Sequence, residues 1–208
     1  MNMKTKILIF LTILSLVGCS KDDPKPPEPA SLLPPETQTG ANTFGCLING
    51  KLLIPRNGSG SFGGSDSGMI LWGGNPNGNE YNEIDVHDYK SNRTGSIFIH
   101  IQSLDQLGVG NYVIDESNGN ENIDGLNHNY IHCRIFNETT NSYQFYISYT
   151  NSGLLKITRF EYVPSVKRMV SGTFSCRVRS TSNPSDEMEV TLGRFDIDNN
   201  TLLVKVFP

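Results

Sequence analysis

The sequence has little that would support nucleic-acid binding or a helical fold. Its 208 residues carry 17 Lys and Arg against 21 Asp and Glu, a formal net charge of −4 at pH 7. The basic residues are scattered and form no stripe of the kind that binds phosphate backbones. No window sustains the apolar period of about 3.6 residues that an amphipathic helix requires. These absences exclude nucleic acid as an expected partner and a helical bundle as the expected fold.

Long apolar runs are also missing, with one short exception at the start of the chain. Lys4 and Lys6 precede an uncharged apolar segment at residues 7–17. This segment is about half the roughly 20 residues that a membrane-spanning helix needs. A basic start followed by a short apolar run is typical of a secretory signal peptide. We therefore predict a signal peptide over residues 1–18.

The signal segment ends in the letters LVGC, residues 16–19. These letters resemble the lipobox of bacterial lipoproteins, in which the cysteine receives a diacylglycerol and becomes the mature N-terminus. The resemblance implies a palmitoylated lipid anchor at Cys19, whose acyl chains contribute about 0.8 kcal/mol per buried CH₂. The next letters, SKDDP, resemble the export signal of Bacteroidota surface lipoproteins. We expect an outer-membrane lipoprotein on the cell surface; an ordinary signal peptide and a merely solvated tether are the alternatives.

A proline-rich segment separates the expected anchor from the rest of the chain. Residues 20–38 read SKDDPKPPEPASLLPPETQ, with almost no aromatic content. Repeated proline favours extended, semi-rigid geometry. We predict a lipidated tether over residues 19–39 and one domain over residues 40–208, a length that suits a single core.

The predicted domain alternates short β-prone runs with clusters of Gly, Asn, Asp and Ser. About eleven or twelve such runs are present, and the last is TLLVKVF, residues 201–207. Asn49 and Gly50 lie between two apolar runs, a strong hairpin signal because both residues tolerate positive φ. Alternation within the runs gives each sheet one solvent face. We predict an all-β, single-domain antiparallel β-sandwich, with a closed or partly closed β-barrel as the alternative.

Several of these runs resemble a family of uncharacterised Bacteroidota surface lipoproteins. The similar motifs are NTFGCLINGK at residues 42–51, GNYVI at 110–114, VSGTFSCRV at 170–178 and GRFDI at 193–197. The resemblance covers most of residues 43–197, and its motifs are structural, because Gly and Asn set turns and alternating apolar residues make strands. It implies a β fold in a surface lipoprotein, and it implies no activity.

Cysteine is scarce, since only Cys46, Cys133 and Cys176 follow Cys19. Each lies in phase with apolar neighbours, so the alternation of a strand turns it toward the core. A core position opposes catalysis, which needs an exposed thiolate with a lowered pKa. An envelope location permits disulfides. Three pairings are open, and we favour a bridge between Cys133 and Cys176.

Oxygen ligands that suit calcium are concentrated in one loop, residues 115–125. The acidic residues of this loop are Asp115, Glu116, Glu121 and Asp124. Carboxylates bind Ca²⁺, but their spacing matches no EF-hand, and a solvated hairpin loop is the alternative. His128 and His132 would lie roughly 13 Å apart on a strand, too far to share a zinc ion. We favour the solvated loop and predict no cofactor and no metal, with the four acids kept as candidate calcium ligands.

Aromatic and acidic side chains that could bind a ligand occur together at residues 71–89. The candidates are Trp72, Tyr81, Glu83, Asp85 and His87, the last three on one face of a predicted strand. Aromatic rings stack on sugars and carboxylates bond hydroxyls, whereas a lone tryptophan also serves as a core anchor. We predict a non-enzymatic module that binds a glycan or an outer-membrane partner protein. The alternatives are a structural envelope component without a small ligand, and a hydrolase with paired acids.

Overall fold

The computed structural model describes residues 27–59, 66–164 and 167–208, so the predicted signal peptide and Cys19 lie outside the described residues. Ten strands form one antiparallel sheet, which confirms the predicted all-β fold class. The strands are β1 (Thr43–Ile48), β2 (Lys51–Leu53), β3 (Met69–Gly74), β4 (Tyr81–His87), β5 (Thr94–Gln102), β6 (Gly110–Ile114), β7 (Tyr130–Asn137), β8 (Ser142–Val163), β9 (Lys167–Ser180) and β10 (Glu187–Asp198).

Within the part of the chain that the structure describes, helical structure is limited to short turns. Two α-helical turns, α1 (Leu104–Leu107) and α2 (Asn199–Leu202), accompany 3₁₀ turns at Pro29–Leu32, Pro76–Gly78 and Asn122–Asp124. None of the helices in the described ranges has the length and apolar character needed to cross a membrane.

The strand order is β2-β1-β10-β9-β8-β7-β5-β4-β3, and the sheet curls into a half-barrel. The 22-residue strand β8 connects the two parts of the half-barrel. The first part of β8 pairs with β7 and the second part with β6, while β9 pairs along both. The register shifts between Ser148 and Gly153. The runs SYQFYISY and LLKITRFEYV, residues 142–149 and 154–163, read as two separate strands in the sequence but form one strand with a register shift.

The concave side of the sheet holds the hydrophobic core. Strands β4, β5 and β7 contribute alternate residues, among them Ile84, Ile99 and Ile131, each 1% exposed or less. Full burial of such a side chain contributes about 1.5 to 3 kcal/mol. The intervening residues of the same strands point to the convex side, where the functional candidates lie.

The three cysteines face the core as predicted, but they do not pair. Cys46, Cys133 and Cys176 are all buried and free, which contradicts the predicted Cys133–Cys176 disulfide. Strand β8 lies between the strands of these two cysteines, and the register pairs Cys133 with Tyr146 and Tyr146 with Ser180, four positions from Cys176, so the two cysteines are not neighbours in the sheet. A disulfide spans Cα separations below about 7 Å. Burial raises the pKa of the Cys176 thiol to about 12, so the thiol is not activated as a nucleophile.

The second half of the predicted tether belongs to the folded domain. We call residues 27–41 the strap. The side chains of Leu33 and Pro34 lie against Gly45 of β1, and Arg159 donates a hydrogen bond to the carbonyl of Gln38. The described part of the predicted tether therefore packs on the sheet.

The last predicted strand, residues 201–207, is not a strand. Asp198 accepts a hydrogen bond from the backbone N–H of Asn200 and caps α2. The chain then turns, and Leu202 and Phe207 are both buried in the core. Two buried side chains five positions apart do not fit the two-residue period of a strand.

The predicted Asn49–Gly50 hairpin turn is confirmed, with φ of 46° and 74° at the two residues. We expect Gly50→Val to destabilise the protein by roughly 1 to 3 kcal/mol, because a β-branched residue resists positive φ. No atom lies within 4 Å of the position of an added Cβ, so the loss would report backbone strain alone. Thermal unfolding measures it, with Gly110→Val as the control without positive φ. Equal melting temperatures for the two variants would contradict this account.

Candidate functional site

The convex face of β3, β4, β5 and β7 carries a row of functional side chains across the sheet. Strand alternation turns Ile84 to the core and its neighbour Glu83 to the convex face. The strand register then pairs Trp72 with Glu83, Glu83 with His100, and His100 with Tyr130. Paired residues of adjacent strands have Cβ atoms about 4.5 to 5.5 Å apart, so these side chains interact directly.

The centre of this row is Glu83, whose side chain is fully buried. The indole N–H of Trp72 donates to its carboxylate. The Nδ1 atom of His100 lies 2.9 Å from Oε1, and the backbone N–H of Asn122 donates to the same oxygen at 2.8 Å. A buried carboxylate is stable only when hydrogen-bonded and paired. The buried carboxylate of Glu83 therefore fixes the positions of Trp72 and His100 in the row.

The imidazole of His100 is held on both faces and at both nitrogens. Its ring stacks on Tyr130 at 4.5 Å and on Tyr81 at 5.4 Å between centroids. While Nδ1 contacts Glu83, Nε2 lies 3.3 Å from Oε1 of Gln102. A ring fixed in this way has one orientation.

A loop between β6 and β7 covers part of the row, and we call residues 115–129 the covering loop. The phenol of Tyr130 donates to the Asn120 carbonyl at 2.9 Å. Gly125 passes so close to the same phenol that an added Cβ would lie 2.1 Å from its oxygen. Only glycine allows this approach. The covering loop thus excludes water from Glu83 and Tyr130.

A second row lies beside the first and contains Asp85, Phe98 and His132. His132 stacks on Phe98 at 4.6 Å. Burial lowers the pKa of His132 to about 4, although the charges of Asp85 and nearby Glu83 oppose the shift. Burial and those same carboxylates raise the pKa of Glu121, which lies 3.9 Å from His132. His132 is therefore a neutral packing residue at neutral pH.

A cleft of about 260 Å³ opens between the covering loop and the 3₁₀ turn before β4. Its floor is formed by Tyr81, His100 and Gln102. Its rim carries amide and carboxylate groups from both sides, namely Asn77, Asn79, Asn122, Asp124 and Asn127. All five rim residues are exposed. Aromatic rings below and amides around the edge are the groups that recognise hydroxyl-rich ligands.

The predicted site residues share one face of the sheet but do not share one environment. Tyr81 lines the cleft although it is only 8% exposed, and Glu83 is fully buried. Trp72 is partly buried, donates to Glu83, and packs 6.2 Å from Phe98, so it is not an exposed stacking platform. Asp85 and His87 form a partly exposed pair at 2.9 Å.

The site also contains residues that the sequence did not single out. His100, Gln102 and the asparagines of the rim were not among the candidates. The run SIFIHIQ offers one signal, because its alternation puts His100 on the face opposite to the three isoleucines. The pairing of His100 with Glu83 requires the strand register, which the sequence does not state.

The acidic residues predicted as calcium ligands do not converge. The carboxylate of Asp115 accepts from the Asn151 backbone N–H at 2.8 Å, and that of Glu121 faces His132. Glu116 and Asp124 are exposed. Within residues 27–59, 66–164 and 167–208, no three His, Cys, Asp or Glu side chains form a group suited to a metal ion.

Comparison of the chain with protein-family models, with curated proteins and with solved structures found no match. The chain is thus a half-barrel β domain with a polar cleft whose floor includes the rings of Tyr81 and His100.

Proposed function

We propose that the chain is a lipid-anchored outer-membrane lipoprotein, displayed on the cell surface, whose cleft binds a glycan without converting it. The observation that carries the binding proposal is the cleft, with Tyr81 and His100 below and asparagine amides around the rim. The lipobox resemblance at Cys19 supports the location. Membership of the Bacteroidota surface lipoprotein family belongs to the same proposal.

The chemistry of the rim suits sugar hydroxyls. An amide both donates and accepts hydrogen bonds, as a hydroxyl does, so each asparagine can bond a hydroxyl in either sense. The carboxylate of Asp124 adds a strong acceptor. The volume of about 260 Å³ is slightly below that of pockets for drug-sized ligands. The cleft therefore takes one sugar residue, while the remainder of a glycan extends over the exposed rim.

The proposal predicts that the rim amides supply affinity. We expect Asn79→Ala combined with Asn127→Ala to weaken glycan binding about tenfold, because each hydrogen bond contributes about 0.5 to 1.5 kcal/mol. A glycan array identifies the ligand, and isothermal titration measures its affinity for both proteins. Asn92→Ala is the matched control, since this exposed asparagine lies at the opposite end of β4 and β5.

The same experiment separates the alternatives. A protein that binds no array glycan favours a partner protein or a purely structural role. The pair of His100 and Glu83 favours a hydrolase as the second candidate, because a histidine oriented by a carboxylate is a common general base. Shortening of the bound glycan, lost in His100→Gln, would establish that second function.

A further inference from the structure

The most exposed large apolar side chains of the described residues occur together in one turn. Leu203, Val204 and Val206 are 83%, 81% and 78% exposed. We call residues 203–206 the apolar turn. Single exposed apolar residues are common on protein surfaces, whereas several together mark an interaction surface. The apolar turn therefore requires a partner that accepts aliphatic side chains.

The apolar turn is fixed at both ends. Leu202 and Phe207 flank it and are each 4% exposed, and both belong to the hydrophobic core. The backbone N–H of Lys205 donates to the Leu202 carbonyl at 3.0 Å. The fold thus presents the apolar side chains outward between two buried anchors.

The strap lies beside the apolar turn. Lys205 lines an apolar groove of about 240 Å³ together with Leu32 and Pro34 of the strap. The groove also contains Phe207 of the core. Leu32 is itself 51% exposed. The strap therefore adds a fourth exposed aliphatic side chain to the same side of the domain.

The expected lipid anchor joins the domain on this side. Pro27, the first described residue of the strap, follows Cys19 by eight positions. Fully extended, eight residues reach about 26 to 29 Å. The acyl chains must therefore enter the membrane within that distance of the strap, and Leu32 follows Pro27 by five positions.

We propose that the apolar turn, with Leu32, is a membrane-contact surface that inserts into the phospholipid leaflet holding the acyl chains of Cys19. The proposal rests on the lipid anchor of the proposed function. Aliphatic side chains partition into the acyl region, and a lysine among them extends its ammonium to headgroup phosphate. The contact gives the domain a fixed orientation on the membrane, in place of free movement on a spacer.

The test uses the full-length lipidated protein reconstituted into vesicles of phosphatidylethanolamine and phosphatidylglycerol. Val206→Cys carries a thiol-linked, polarity-sensitive fluorophore, and lipid with a nitroxide on its acyl chain quenches a probe that enters the leaflet. Cys46, Cys133 and Cys176 are buried and escape labelling. Ser185→Cys is the control, because this exposed residue lies beyond the other end of β10.

We expect the probe at position 206 to be quenched several-fold more strongly than the probe at position 185. Leu203→Ser with Val204→Ser in the labelled protein should reduce that quenching toward the control. Equal, weak quenching at both positions overturns the membrane contact, as does a blue-shifted probe that the lipid does not quench, which indicates that a second copy of the chain covers the turn. The mass of the mature protein shows whether acyl chains are attached at Cys19. If they are present, weak quenching overturns the membrane contact alone; if they are absent, the lipid anchor and this surface are overturned together.

Discussion

Glu83→Ala is expected to destabilise the domain by about 3 to 5 kcal/mol, because three hydrogen-bond partners lose one shared, buried acceptor. The carboxylate receives the indole N–H of Trp72 and the backbone N–H of Asn122, and it faces the ring of His100. Alanine leaves these groups without their acceptor in a site that water does not reach. Urea denaturation followed by circular dichroism measures the loss.

Two variants sharpen this prediction. Glu83→Gln keeps an acceptor oxygen of similar position, so we expect a smaller loss than for alanine. Glu116→Ala removes an exposed acid and should change stability by no more than about 0.5 kcal/mol. If Glu83→Ala were as stable as Glu116→Ala, the buried network would contribute nothing to the stability of the domain. Glu83 would then again be a candidate for ligand contact.

The part of the fold that depends on local pattern could be predicted from the sequence. Period-two alternation identifies β4, β5 and β7 and their core-facing residues, and Asn49–Gly50 identifies the first turn. Alternation does not predict the structure where tertiary contacts determine the path of the chain. Residues 201–207 have strand composition, yet Leu202 and Phe207 both enter the core.

The candidate site was predicted less fully, because alternation defines the second face of a strand without showing what covers it. The covering loop is rich in polar residues and reads as a solvated loop. It is held instead by contacts between residues distant in sequence, such as that of Asn122 with Glu83, 39 positions apart. Tyr130 and His132 are therefore buried on a face that the sequence predicts to be wet.

The packing of the strap on the sheet also cannot be predicted from local sequence. Its proline content is typical of an extended tether, and nothing local distinguishes residues 27–41 from a free spacer. The decisive group is Asp196, a buried carboxylate on β10. Its partners on the strap are the hydroxyl of Thr37 at 2.6 Å and the backbone N–H groups of Thr39, Gly40 and Ala41 at 2.9, 2.8 and 3.1 Å.

Asp196→Ala should release the strap and destabilise the domain by about 3 to 5 kcal/mol, because at least five donors lose one shared, buried acceptor. The hydroxyl of Ser171 also donates to this carboxylate at 2.8 Å. Limited proteolysis followed by mass spectrometry should show cleavage within residues 27–41 in the variant and protection in the wild type. Retained protection of the strap in Asp196→Ala would contradict its assignment as the anchor.

The stabilisation by Asp196 should depend on pH in a defined direction. Burial by itself raises the pKa of this carboxyl, but hydrogen bonds from Thr37, Ala41 and their neighbours outweigh burial and lower the pKa to about 2. An unfolded aspartate has a pKa of about 3.9. Since the folded pKa is the lower one, the contribution of roughly 2 to 3 kcal/mol is fully present above about pH 5 and is lost as pH falls toward 2.

Urea denaturation of wild type and Asp196→Ala should therefore give a constant stability difference from pH 7 to 5 that narrows steadily below pH 4. A difference that stays constant down to pH 2 would show that the ionised carboxylate does not hold the strap.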